Sequence, residues 1–196
     1  MRSSLLAAVL CCAILVGCTT RQSDERVIRR QFDIPKTATV LIYEATPSES
    51  GWFGREGLKI TMVFKLSEAD FDALARQAAD SRKWQPLPIP ESVLKHLAGM
   101  RSAREVRIRV ARESGEPLPP EGSVYNPTDE QLLEQFKRSM PARPHTGWYQ
   151  IKTAGTDIMR APKTVRTTLD EDVNDFMLAM LDPEHDTVIV RVSTNY

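Results

Sequence analysis

Hydrophobic and polar positions alternate with a period of two in several parts of the chain, as they do in strands with one buried face. The clearest example is Gly57 to Leu66, where five apolar side chains alternate with a mostly polar set. Before it lies Thr37 to Tyr43, a stretch rich in the β-branched residues that strands prefer. We expect these two segments to form an antiparallel hairpin with a long loop.

Alternation predicts more strands in the second half of the chain. In Glu105 to Ala111, Val and Ile alternate with arginines, so one face of a strand would be buried and the other wet. Gly147 to Thr153 and Thr156 to Arg160 fit two strands joined by a short turn.

The C-terminal segment contains one ambiguous apolar run. Val173 to Leu181 fits either a buried strand or a helix, because short apolar runs cannot be distinguished by period alone. We favour the strand, since Asp182 to His185 has good turn chemistry and Thr187 to Thr194 is rich in β-branched residues. Together they would form a C-terminal hairpin.

Helical periodicity appears in three places. A helix is expected over 68–80 after the capping residue Ser67, and a shorter one over 90–97. A third follows Thr128 to Gln131, which matches a capping box. The pattern therefore predicts an α+β fold, with a mostly antiparallel sheet built from hairpins and two or three short packing helices.

The start of the chain has a different composition. Arg2 is followed by Leu5 to Val16 without a charged residue, and then by Gly17 and Cys18. This layout is typical of a signal peptide. The apolar run of 12 residues is shorter than the roughly 20 needed to cross a bilayer, so we expect cleavage rather than retention.

The segment Leu15-Val16-Gly17-Cys18 resembles the lipobox of bacterial lipoproteins. The resemblance implies cleavage between Gly17 and Cys18, a diacylglyceryl thioether on Cys18, and acylation of its new amino group. The alternative is an ordinary secretory signal that happens to end in cysteine. Because no cysteine follows Cys18, acylation explains this residue better than a disulfide does. No further cofactor is expected.

The resemblance also implies a location and a division of the chain. Several acyl chains anchor a protein firmly to a membrane. Many Gram-negative lipoproteins kept at the inner membrane have Asp after the cysteine; Thr19 does not match, so we favour the outer membrane, facing the periplasm. We expect a signal peptide over 1–17, a lipidated N terminus and tether over 18–33, and a single α+β domain over 34–196. A helix over 24–31 is the alternative to part of that tether.

Charge and motifs narrow the range of functions. The 26 Lys and Arg residues balance 26 Asp and Glu residues, so we expect no nucleic-acid partner. The three histidines, His96, His145 and His185, are far apart in sequence, and none belongs to a helix-borne zinc motif. We predict no catalytic residues, no metal site and no enzyme activity.

Four local features are candidates for recognition. The loop around Trp52, Phe53, Arg55 and Glu56 sets two aromatics and two opposite charges among glycines, and its alternative is a solvated turn. For the other three features we favour structural roles. They are the acidic turn Asp182 to Asp186, the arginine-rich stretch 101–112, and the proline-rich connector 84–90.

The loop Gly54 to Leu58 before a strand, Trp84 followed by Pro86-Leu87-Pro88, and a closing β segment that ends in Tyr196 together resemble small, uncharacterised bacterial lipoproteins. That resemblance implies no particular activity.

From the expected anchor and the missing catalytic motifs we expect a monomeric, non-enzymatic module that is attached to the membrane by its lipid and binds another envelope component or guards against an incoming protein. One alternative is an envelope hydrolase that uses carboxylates with His145 or His185 as acid or base. Another is a structural spacer that lies against peptidoglycan.

Overall fold

The computed structural model of the chain describes residues 21–48, 57–123, 126–154, 158–165 and 175–194. These residues form five helices and one seven-stranded antiparallel sheet, which confirms the α+β class with more helices than the two or three expected. The helices are α1 (21–32), α2 (Glu68–Asp80), α3 (Glu91–Leu97), α4 (Met100–Ser114) and α5 (Asp129–Ser139). The strands are β1 (Thr39–Ser48), β2 (Gly57–Lys65), β3 (Gln85–Pro86), β4 (Trp148–Thr153), β5 (Lys163–Val165), β6 (Phe176–Asp182) and β7 (Thr187–Ser193).

The sheet is assembled from two predicted hairpins placed side by side. Its order is β1-β2-β7-β6-β4-β3, with β5 also paired to β4. Both the β1–β2 and the β6–β7 hairpins are confirmed, including the strand assignment of residues 176–181. Residues 173–174 of that prediction lie outside the described part. Every residue of β6 is buried, which explains why its sequence has no polar alternation.

Helices cover both faces of the sheet. On one face, α1 and α2 pack against alternate residues of β2, β6 and β7, including Ile60, Met62 and Phe64. On the other, α3 and α5 pack over Tyr149, Leu178 and other residues of β4 and β6. This second cover lies towards β4, so strand β1 at the opposite end contributes no fully buried side chain between Thr39 and Thr46.

The tether predicted over 18–33 is wrong for residues 21–32, which form α1. Ile28 and Phe32, four residues apart, place one face of this helix in the core. Arg29 belongs to the same packing, because its guanidinium lies 4.7 Å from the ring centre of Phe64 and donates to the carbonyls of Pro35 and Ala38. Because the long side chains of arginine can lie along apolar surface, the sequence of a helix rich in arginine shows little contrast between a buried and an exposed face.

The strand predicted over 105–111 is also wrong, because this segment belongs to helix α4. Gly99 and Gly115, both with positive φ, lie at its two ends (63° and 70°). Ile108 and Val110 are 38% and 54% exposed, so the alternation does not reflect a buried face. Arginine has good helix propensity, and here it outweighs the β-branched residues.

The strand predicted over 156–160 is wrong for residues 158–160. Residues 158–160 form a turn, while Thr156 and Asp157 lie outside the described residues. The strand that pairs with β4 comes a few residues later, at β5. Ile158 is fully buried, so this single apolar residue fills the core without belonging to an alternating pattern.

Candidate functional site

The residues singled out from the sequence as a site lie outside the described part of the chain. This holds for Gly17 and Cys18, and for the loop residues Trp52, Phe53, Arg55 and Glu56. The loop joins the ends of β1 and β2, where Ser48 pairs with Gly57. Its recognition role stays a prediction.

His145 and His185 are exposed, and neither lines the grooves beside α1, α4 and α5. His185 lies in the β6–β7 turn, where its Nδ1 is 2.8 Å from Oδ2 of Asp182. Oδ1 of the same carboxylate accepts from the backbone N–H of Glu184 at 3.0 Å. These bonds close the turn, and calcium sites need about six or more oxygen ligands, so we interpret this cluster as the turn predicted from the sequence.

The two edges of the sheet differ greatly. At one edge, β3 and β5 have two and three residues, and β3 contains Pro86. Short strands and proline are common protection against unwanted strand pairing. The other edge is β1, with ten residues and no neighbouring strand on its outer side among the described residues. We therefore take β1 as the candidate site.

The register identifies which backbone groups of β1 point outwards. Leu58 of β2 and Thr194 exchange two backbone hydrogen bonds, so even-numbered residues of β2 direct their N–H and C=O groups towards β7. Odd-numbered residues of β2 then bond to β1. Tyr43 and Ala45 pair with Met62 and Ile60, and their own N–H and C=O groups consequently face away from β2.

Side chains on this edge strand are mostly exposed. Leu41 and Ile42 are 57% and 44% exposed, and a bulge in the register lies between Val40 and Ile42. Glu44 is the one charged residue between Thr39 and Ser48. The strand thus has a bulge and Pro47 but lacks the lysines that often protect an edge.

Helix α1 holds β1 in place. The Tyr43 hydroxyl donates to Oδ2 of Asp24 at 2.8 Å, and the Arg21 guanidinium lies 5.9 Å from the Tyr43 ring centre. Burial, assisted by the Asp24 carboxylate, raises the pKa of Tyr43 to about 12. Burial also raises the pKa of Asp24, while the hydrogen bond from Tyr43 partly opposes that change. The edge is therefore fixed to a core helix.

A buried arginine lies on β7, two strands from the edge, and sequence reasoning missed it. Arg191 of β7 is buried and donates from Nη1 to Thr61 Oγ1 at 2.9 Å. In the register, Thr61 lies between Arg191 and Glu44. Burial lowers the pKa of Arg191, and the charge of Glu44 partly counters this shift. The signal in the sequence was a lone cation in the otherwise uncharged strand β7.

No helix in the described ranges is long and apolar enough to cross a membrane. Comparisons with protein-family models, with curated proteins and with solved structures found no match to this chain. The edge geometry and the sequence are thus the basis for a functional proposal.

Proposed function

We propose that the chain is a lipid-anchored, non-enzymatic binding module of the bacterial envelope, which takes an extended segment of another envelope protein onto the edge of β1. The observation that carries the proposal is the ten-residue edge strand with outward backbone groups at Tyr43 and Ala45. Addition of a strand to a sheet edge is a common mode of peptide recognition.

The available bonds suit a short partner segment. Tyr43 and Ala45 each offer a donor and an acceptor, and the carbonyl of Pro47 adds one more acceptor. Each backbone hydrogen bond contributes roughly 0.5–1.5 kcal/mol net. Contact with Leu41 and Ile42 adds apolar burial at the same edge.

The proposed occupant is a different protein rather than a second copy of this chain. A two-fold pairing centred on the stretch from Tyr43 to Ala45 would place Glu44 directly opposite Glu44 of the copy. Like charges directly opposite each other destabilise a strand pair. Moving the two-fold axis towards Leu41 would place the bulge within the pairing, and moving it towards Pro47 would set Tyr43 opposite a residue without an N–H donor.

The anchor sets where this edge would lie. The chain is already helical at residue 21, so three residue steps separate α1 from Cys18, at most about 11 Å of extended chain. In this proposal the domain lies close to the lipid surface, and the Tyr43–Asp24 contact holds β1 against the helix that follows the anchor.

The anchor is tested by growing cells with a radioactive fatty acid. We expect label on the native protein and none on Cys18→Ser, because the thioether needs the sulfur. Undiminished label on Cys18→Ser, or an unlabelled native protein, would contradict the anchoring. Neither result depends on the role of β1.

The edge is tested by placing a photo-cross-linking amino acid at Thr46, which is exposed on β1. Gln135, exposed on α5, is the matched control position. We expect a discrete adduct with one other envelope protein from position 46 and not from 135. Failure to form an adduct, or an adduct only with a second copy of this chain, would refute the proposal.

A further inference from the structure

A groove beside α4 is not used by the proposed function. It has a volume of about 490 Å³, within the range of small-molecule sites. Helix α4 contributes Arg104 and Arg107 to its lining. The acidic lining residues are Glu121, which precedes α5, and Asp129 and Glu130 in the first turn of α5. The cations and the acids therefore come from different elements.

The two arginines have guanidinium groups available for a ligand. Within the described ranges, neither Arg104 nor Arg107 forms an ion pair. The Nε of Arg107 is enclosed by the protein without a hydrogen-bond partner among these residues, so its two Nη groups are the donors that a ligand in the groove can reach. A carboxylate is the acceptor whose shape fits a guanidinium in bidentate fashion, here through the two Nη groups.

The acidic groups suit a positive charge. Glu121, Asp129 and Glu130 are exposed and place three carboxylates around one groove. Ile108 and Leu118 also line the groove, and their side chains are 38% and 44% exposed. These apolar groups fit a hydrocarbon stem between a carboxylate and an ammonium group.

The acidic part of the groove is ordered by its own hydrogen bonds. Asn126 Nδ2 donates to the carbonyl of Pro119 at 2.8 Å, and Gln131 Nε2 donates to the carbonyl of Gly122 at 3.3 Å. The reciprocal capping bonds of Thr128 and Gln131 fix the start of α5. A site ordered before binding loses less conformational entropy when a ligand enters.

We propose that this groove binds a small zwitterion of the short-peptide class. Its carboxylate is bound by Arg104 and Arg107, and its ammonium group by Glu121, Asp129 and Glu130. The groove lining contains no residue of β1, and binding there does not require the lipid anchor.

The test is an NMR titration of the purified protein with the dipeptide alanyl-lysine. We expect saturable shifts of α4 and α5 amides, and about tenfold or weaker binding when the dipeptide's carboxylate is replaced by an amide. No saturable shift at millimolar dipeptide, or equal affinity for acid and amide, would overturn the proposal.

Substitutions locate the site. Arg107→Gln should weaken dipeptide binding about tenfold or more, while Arg112→Gln, exposed on the same helix and outside the groove lining, should leave it unchanged. Arg107→Lys keeps the charge and lacks the bidentate fork, so it should also weaken binding, and it serves where the glutamine variant does not fold. Native affinity in a folded Arg107 variant would refute the assignment.

Discussion

The hydrogen bond between Tyr43 and Asp24 is the polar contact that ties the edge strand to α1. Burial disfavours the phenolate, and the neighbouring carboxylate disfavours it further, so the pKa of Tyr43 is raised from 10.0 to about 12. A tyrosine with its pKa raised in the folded state contributes stability that is complete below its unfolded pKa. That contribution is lost as the pH rises through the folded value.

Asp24→Asn should lower the pKa of Tyr43 but leave it above 10.0, because burial, the largest cause of the shift, remains. The ring-carbon NMR shift of Tyr43 during a pH titration measures this. The decline in unfolding free energy between pH 10 and 12 should be smaller in the variant. Asp72→Asn, exposed on α2, is the control, and an unchanged Tyr43 pKa in Asp24→Asn would contradict the coupling.

The role of a residue could be predicted from the sequence where its hydrogen-bond partner lies a few positions away in the chain. Ser67 and Thr128 were expected to cap helices, and their side chains accept from Asp70 N–H and Gln131 N–H as required. The roles of Arg29 and Arg191 were not predictable, because their partners come from other elements. Arg29 packs on Phe64, and Arg191 donates to Thr61, 130 positions away in the chain.

Among the helices and strands, α1 differs most from its prediction, because this segment was expected to be a tether and is a helix packed in the core. As a helix whose Ile28 is fully buried in the core, it should contribute strongly to the stability of the fold. Ile28→Ala should lower the free energy of unfolding by about 2–5 kcal/mol, whereas Arg26→Ala at an exposed position should change it by about 0.5 kcal/mol or less. Urea denaturation of the purified variants measures both.

A tether in place of α1 would make both substitutions neutral, so equal stability of Ile28→Ala and the native protein would contradict the packing of this helix.

Helix α4 is the other element that differs from its prediction. Its sequence has a period of two, but among the described side chains no face of the segment with that period is buried. Ile108 and Val110 remain exposed on the helix surface. Arginine-rich helices are hard to predict from sequence, because an arginine can occur on either the buried or the exposed face of a helix.

At the scale of the whole molecule, local pattern was sufficient for the hairpins and insufficient for their arrangement. The β1–β2 and β6–β7 pairs join neighbouring segments, and both were predicted. The β2–β7 pairing, which brings Leu58 to Thr194, unites the two ends of the fold and has no local signal. That pairing leaves β1 at the edge, so the candidate site follows from topology that the sequence pattern could not supply.

In the proposed function, a partner bonds to the outward backbone of β1. Ala45→Pro removes one outward N–H and leaves the bonds to β2 in place, whereas Ala45→Val keeps that N–H. Both variants should unfold within about 1 kcal/mol of the native protein, since proline is tolerated at the free side of an edge strand.

The decisive measurement is the yield of the Thr46 cross-linked adduct in these two variants. We predict that Ala45→Pro abolishes the adduct and that Ala45→Val retains it. An undiminished adduct in Ala45→Pro would contradict strand addition at β1.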